Sequence, residues 1–416
     1  MPLSSDEHIG TRVRIARNAA GLTQTELAGL LDRSECWLAN VESGRKPLDR
    51  FSVITAIANE CDVDPVWLLG QPYRLARNNG SVAHSYIPAL RTGLRRAGLI
   101  LSGHPGLIPQ GVAVDLGGAA DILRRANMAR QAANLQAVVQ LLPPVVEDLN
   151  TALLLESSGG PTREAVLRLL ADAARTSRMA LNQLGYPDLA WSAAEVAAGA
   201  GTQLQDPVIQ AAVAWDRCGA LLHQASARET VAVADAALRD LEPHTFGAGA
   251  IQEAVSLRGA LHLRCAVAHA RGGQTTDAWA RIDAALEDAD RLGGTWCDLD
   301  LHTVFSRGNV KVHAAEVGVE VDDPEEGLQR VTEVDVDDLP SRERRVHFMI
   351  DQARALHRMG RSSAAVLELK RASVDAPLYV YAHAMARALV SDLARDRVQS
   401  EKPVLSGLIR NMELVS

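Results

Sequence analysis

Apolar side chains recur along this chain at intervals of three and four residues, the spacing of one face of an α-helix. Ile9, Val13, Ala16 and Ala20 form a first stripe, which Gly21 stops. Thr23 and Glu26 then make a capping box, predicting a second helix with Leu27, Leu30 and Leu31 turned inward and Ala28 allowing close approach. Ser34 is placed to cap a third helix that buries Trp37, Leu38 and Val41 and ends at Gly44. Asp49 is placed to cap a fourth, with Val53, Ile54 and Ile57 inward, and Asp64 followed by Pro65 opens a fifth that Gly70 closes. Residues 1–72 therefore read as one unit of five short helices.

The periodicity weakens over residues 73–112, where Asn78-Asn79-Gly80, Ser102-Gly103-His104-Pro105-Gly106 and Pro109 act as breakers. This stretch reads as a linker carrying one helix, residues 86–97, with Leu90 and Leu94 inward and Arg91, Arg95 and Arg96 outward. From residue 113 to 416 a longer order appears. Gly185, Gly273 and Gly360 are each followed five residues later by Ala190, Ala278 and Ala365, and seven further on by Ala197, Ala285 and Ala372. Leu369 and Ile282 fill the large apolar place between the alanines, and Pro377 follows the last unit. Weaker units fit residues 231–243 and 327–340. A first helix pair is expected over 116–142 and 143–155, and a further helix over 162–184. Alanines at these places let two antiparallel helices approach to about 8–10 Å, and a pair too small to bury its own stripe must stack on the next.

Composition agrees with helices. Apolar residues make up 47% of the 416, aromatic residues only 4%, and strand-forming clusters are thin, so the expected fold class is all-α with more than one domain. The five cysteines form no C-x-x-C pair and read as reduced thiols. No apolar run is read as reaching the 18 to 20 or so residues that cross a bilayer, so a cytoplasmic protein with no membrane partner is expected. Net charge is −8, unevenly spread: residues 1–72 carry seven basic and ten acidic groups, residues 73–100 five basic and none acidic.

The run Gln24-Thr25-Glu26-Leu27-Ala28 followed by Ser34 through Val41-Glu42-Ser43-Gly44 resembles the Cro/lambda-repressor (XRE) helix-turn-helix family. The resemblance implies a DNA-binding domain whose helix after Ser34 lies in the major groove. By that likeness Glu35, Cys36 and Asn40 face base edges, Thr23, Gln24 and Ser34 hold phosphates or brace the readers, and Arg33, Arg45 and Lys46 lie on the flanking backbone. It also implies a structural pair between Arg17 and Glu42. Two departures stand out. Asp32-Arg33 occupies the turn where a glycine and an apolar residue are usual, and Glu35 at a reading position suits only a donor such as cytosine N4. With an acidic excess in this segment, counterion release contributes little, so a dimer, and the arginines at 74, 77, 91, 95 and 96, are expected to add affinity.

The Gly…Ala…Ala spacing resembles the tetratricopeptide signature, although the units stand 38 to 49 residues apart rather than the regular ~34. An XRE domain before such an array is similar to peptide-responsive bacterial regulators and to actinomycete regulators of secondary metabolism. The likeness implies a homodimer on a double-stranded operator, gated by a peptide or small-molecule effector in a concave superhelix.

Arg307, Asn309, Lys311 and His313 are the candidate ligand contacts, because an Asn on a concave wall can clamp a ligand's amides. His262, Cys265 and His269 share a helix face but lack a fourth ligand at motif spacing, so packing is expected and no metal or cofactor. Asp298, Asp300 and His302 read as caps for the next helix. Nucleotide-binding, zinc-protease and nucleophile-elbow motifs are missing, which argues against an enzyme. The alternative is an adaptor that recruits a protein through the array and uses the helix-turn-helix as an anchor.

Overall fold

The structure, a computed structural model, describes residues 8–72, 80–104, 107, 114–156, 159–247, 249–294, 302–330, 335–396 and 401–414. Among them are helices and no strands. The N-terminal domain comprises α1 (Ile9–Ala19), α2 (Gln24–Leu30), α3 (Glu35–Glu42), α4 (Phe51–Glu60) and α5 (Pro65–Leu69). Val13, Leu27, Leu38, Val41, Ile54, Ile57 and Leu68 are its sealed core. Local signals fix its ends: Thr23 and Glu26 complete the capping box, Ser34 Oγ accepts from Trp37 N, and Asp64 accepts from Val66 N ahead of Pro65.

The fourth helix departs from expectation. Asp49 makes no cap; its carboxylate accepts from Arg358 Nη1 at 2.7 and 3.0 Å. The first amides of α4 are met instead by Glu320, 269 residues away, which accepts from Phe51 N at 3.2 Å and Ser52 Oγ at 3.1 Å. A carboxylate from a distant part of the chain thus supplies what a helix N-terminus lacks.

Helices α6 (Gly80–Ser85) and α7 (Ile87–Leu101) occupy the region read as a linker. Ile87, Leu90, Leu94 and Ala97 are buried, and α7 packs against two helices of the array, α9 (Leu135–Leu155) behind α8 (Leu116–Gln131), and α11 (Pro187–Leu204) behind α10 (Pro161–Gln183). At the contact with α9, a Cβ on Gly93 would stand 3.0 Å from Val146, and Asn150 donates to the Gly93 carbonyl. The breakers flank a helix that belongs to the array's first layer, because its stripe is buried only there. Arg91 and Arg95 are exposed, whereas Arg96 pairs with Glu147. Arg74 and Arg77 lie outside the described residues.

The remaining helices are α12 (Pro207–His223), α13 (Ala227–Thr245), α14 (Gln252–Arg271), α15 (Thr275–Arg291), α16 (Arg307–Glu320), α17 (Pro324–Gln329), α18 (Arg342–Arg358), α19 (Ser362–Asp375), α20 (Pro377–Ala382), α21 (Ala384–Arg395) and α22 (Lys402–Asn411). Each even helix from α8 to α18 pairs with the odd helix after it. Gly185, Gly273 and Gly360 all turn in the left-handed region, with φ of +81°, +76° and +75°, and Ala190, Ala197, Ala278, Ala285, Ala365 and Ala372 are fully buried. In the short α16–α17 pair, a Cβ on Gly318 would lie 2.6 Å from Gly327 Cα, so only glycine permits that crossing.

Two sequence expectations fail at α9. The chain was expected to break at Pro143, but the helix runs through Pro143 and Pro144. It starts after Ala133, in the left-handed region at φ 56°, and its stripe of Val138, Val139, Leu142, Val145, Val146 and Leu149 is fully buried. That packing outweighs the amide bonds two prolines remove. Read as one piece, α9 is also long and apolar enough to span a bilayer by length and composition; here it packs against α7, α8 and α10.

The array closes on itself. The first inner helix, α8, meets the last, α18, and Arg130 Nη1 donates to Glu343 Oε2 at 2.8 Å across the seam. One apolar cluster accordingly joins α7–α11 to α18–α22.

Candidate DNA-binding surface and central cavity

The turn between α2 and α3 places Asp32 at φ 52°, a left-handed position that a short polar side chain tolerates. Ser34, Glu35 and Cys36 are exposed, Asn40 is half-buried, and the indole of Trp37 lies under Arg33 at 5.8 Å. Thr25 Oγ1 donates to Glu35 Oε2 at 2.6 Å, and Asn40 Nδ2 lies 3.5 Å from Cys36 Sγ. Behind this edge Arg17 Nε donates to Glu42 Oε1 at 2.5 Å and Gln24 Nε2 to Glu42 Oε2 at 2.7 Å. Gln24 is therefore drawn to the buried Glu42 carboxylate, as a brace. Thr23 serves the capping box, Arg45 Nε donates to Ser43 Oγ at 3.0 Å, and Lys46 is exposed beside it.

The domain docks on the array by a face other than this edge. Besides Glu320 at α4 and Arg358 at Asp49, Arg354 Nη2 donates to the Asp49 carbonyl at 2.5 Å and Arg395 Nη1 to the Gly44 carbonyl at 3.0 Å. Arg271 lies over the Phe51 ring at 4.6 Å.

Phe51, Leu69 and Gln71 reach a cavity of about 160 Å³ surrounded by the inner helices. Its lining is charged: Arg130, Arg178, Arg264, Arg271, Arg344 and Arg354 accompany Glu316, Glu320, Glu343 and Asp351. Arg271 Nη2 donates to Glu316 Oε1 at 3.0 Å, and Arg354 Nη1 to Asp351 Oδ1 at 2.6 Å. Just behind the lining, Asp216 accepts from Arg175 Nε at 2.5 Å and Arg178 Nε at 2.9 Å. Burial acts to raise the Asp216 pKa, but the two arginines outweigh it and hold the carboxyl below its ordinary range. Likewise burial opposes, yet Arg344 and Arg130 draw Glu343 down to about 2. Burial pushes His313 down to about 4, so it is neutral at pH 7.

The four residues expected to touch ligand divide. Asn309 and His313 line the cavity, whereas Arg307 pairs with Asp290 and Lys311 lies over Phe348 at 5.9 Å, lining a separate surface recess. His302 does not cap α16; Ser306 does, accepting from Asn309 N, while His302 is buried with Nε2 2.6 Å from Asp172 Oδ1. Asp298 and Asp300 lie outside the described residues. His262, Cys265 and His269 do not converge. His262 meets Arg281, His269 meets Gln274, and burial raises the Cys265 thiol to about 12. A different trio, Glu316, His347 and Asp351, brings its ligand atoms within 4.8 Å of one another. The sequence hid that trio because it spans α16 and α18. The missed arginines had a faint signal: Arg264 and Arg271 recur seven apart within an Ala- and Leu-rich helix.

Residues 8–67 match a family model described as a helix-turn-helix domain. No curated protein matches the chain. Among solved structures, it is similar to the crystal structure of Bacillus thuringiensis PlcR in complex with the peptide PapR7 and DNA, at 14% identity and a TM-score of 0.30, over 69% of this chain and 96% of that one.

Proposed function

We propose that this chain is a sequence-specific transcriptional regulator, with an XRE-type domain that reads DNA and a tetratricopeptide-like array whose ligand, a peptide or small molecule, governs the reading. It works as a homodimer on a partly palindromic operator, without catalysis. In this reading Glu35, Cys36 and Asn40 meet base edges, and Ser34, Arg33, Arg45 and Lys46 meet the backbone. The observation that carries the reading is a sharing of side chains. Arg354 and Glu320 line the cavity and also hold Asp49 and the start of α4, while the leading edge of α3 stays exposed. A ligand that draws on either residue shifts the hold on the domain and leaves the reading edge intact. In a dimer, that shift alters whether two α3 helices meet half-sites about 34–36 Å apart.

Footprinting of genomic fragments tests it. Asn40→Ala should cost about 1–3 kcal/mol of discrimination at one base pair. Unchanged sequence preference would remove α3 from the reading position. Arg358→Ala, which frees the Asp49 carboxylate without touching α3, should change operator affinity while keeping the same preferred sequence.

A further inference from the structure

The other five arginines of the cavity lining each pair with a carboxylate, and Arg264, half-buried on the same wall, is the departure. Its guanidinium lies over the Trp215 ring at 4.5 Å, and Arg178 lies on the same ring at 5.5 Å. The two guanidiniums converge over Gly219, where a Cβ would stand 2.7 Å from Arg178 Nη1 and 3.3 Å from Arg264 Nη2. Arg178 is neutralised by Asp216. Among the described residues Arg264 has no ion pair, and its Nε is buried without a hydrogen-bond partner. Burial, then Arg178 and Arg344, push it down to about 10, which leaves it cationic at neutral pH. A half-buried guanidinium with no carboxylate on it, set beside other cations, is costly to keep, so a cavity that keeps one suits the opposite charge.

The rest of the lining agrees. Its six arginines exceed its four carboxylates. Asn182 Oδ1 and Asn309 Oδ1, both buried on the cavity wall, lack hydrogen-bond partners and can accept from a ligand's O–H or N–H groups. A metal cation is the competing occupant, at Glu316, His347 and Asp351. Both of those carboxylates are already held by guanidiniums, Arg271 and Arg354, and a dication would enter a field that is net positive.

We infer that the cavity is a receptor for a small organic anion, a carboxylate or phosphate ester whose charged end is taken by Arg264 beside Arg178 and whose hydroxyl or amide groups meet Asn182 and Asn309. This deepens the regulatory reading, on which it rests for its consequence, by giving the effector a chemical class.

The test is melting and calorimetric titration of the full-length chain without DNA. The probes are sodium citrate and glycerol 3-phosphate, against sodium chloride at matched ionic strength. Either organic anion should raise the unfolding midpoint by several degrees beyond chloride, and which of them does so separates a carboxylate from a phosphate source. Arg264→Met should melt at or above the wild-type temperature without anion and should lose the anion response. Arg264→Lys, which keeps a cation without the planar fork, should bind at least tenfold more weakly than wild type. A wild-type response no larger than chloride's overturns the inference whether or not the variants fold. So does an anion response that survives Arg264→Met, or a midpoint raised by zinc chloride but by neither anion. Because DNA is not in the measurement, this site can fail while Asn40→Ala still shifts the footprint, and the footprint can fail while the anion still binds.

Discussion

The N-terminal domain and the array place their charges in opposite ways. In the domain, polar groups sit at helix ends near the surface, as Thr23, Glu26, Ser34 and Asp64 do, and each acts on an amide two or three residues away. One buried pair, Arg17 with Glu42, ties α1 to α3. In the array, charges are turned inward and paired across helices: Asp216 with Arg175 and Arg178, Asp288 with Arg258, Glu343 with Arg130. The first arrangement builds a module that stands on local rules. The second makes a chamber in which most charges depend on a partner from another helix, and where one lacking any partner attracts something from outside.

The sharpest way to break this contrast is Asp216→Ala. It takes from Arg175 and Arg178 the buried carboxylate they share and should cost about 3–5 kcal/mol of unfolding free energy in urea titrations. A loss under about 1 kcal/mol would mean that the inner pairs matter no more than surface ones.

Acid should act next in size, and on the array first. Buried His313 has a folded value of about 4, below the ordinary 6.5, so protonation favours the unfolded chain. The stability tied to its neutral form is complete above about pH 6.5 and is lost as pH falls toward 4. By pH 5 that is about 2 kcal/mol. Glu343, drawn down to about 2, adds stability above its ordinary 4.5 that is lost as pH falls toward 2. Amide hydrogen exchange at pH 7 and pH 5 should show α16 losing protection while α1–α5 keep theirs. Equal loss in both regions would erase the distinction.

The smallest effect belongs to a local rule. Ser34→Ala removes the Trp37 cap and should cost about 1 kcal/mol in thermal melts of the chain. A cost several times larger would show that Ser34 holds more than the first turn of α3.

Legibility in the sequence follows the same division. The caps of α2, α3 and α5, the tight turn at Asp32 and the glycine–alanine spacing of the helix pairs were readable because each involves neighbours in the chain. Asp49 misled because its proper role as a cap is met at long range by Glu320, leaving the carboxylate for Arg358. Within residues 73–112 the helix with Leu90 and Leu94 inward was readable, but not what that stripe faces, because its partners, such as Val146, lie far along the chain. Asn309 and His313 were noticed as a polar pair four residues apart, but the cavity they join draws on six inner helices and the docked domain, and no spacing within one helix reveals it.

The seam between α8 and α18 has a consequence for how the chain is made. A row of helix pairs with free ends can settle unit by unit as it leaves the ribosome. Here the earliest inner helix finds its second neighbour only after Glu343 and the rest of α18 have been synthesised. Nascent chains that stop short of α18 leave the apolar flank of α8 wet and Arg130 without its carboxylate. Truncated products of this protein should therefore be poor competitors of the whole one, since they reach protease digestion before they reach a finished barrel of helices.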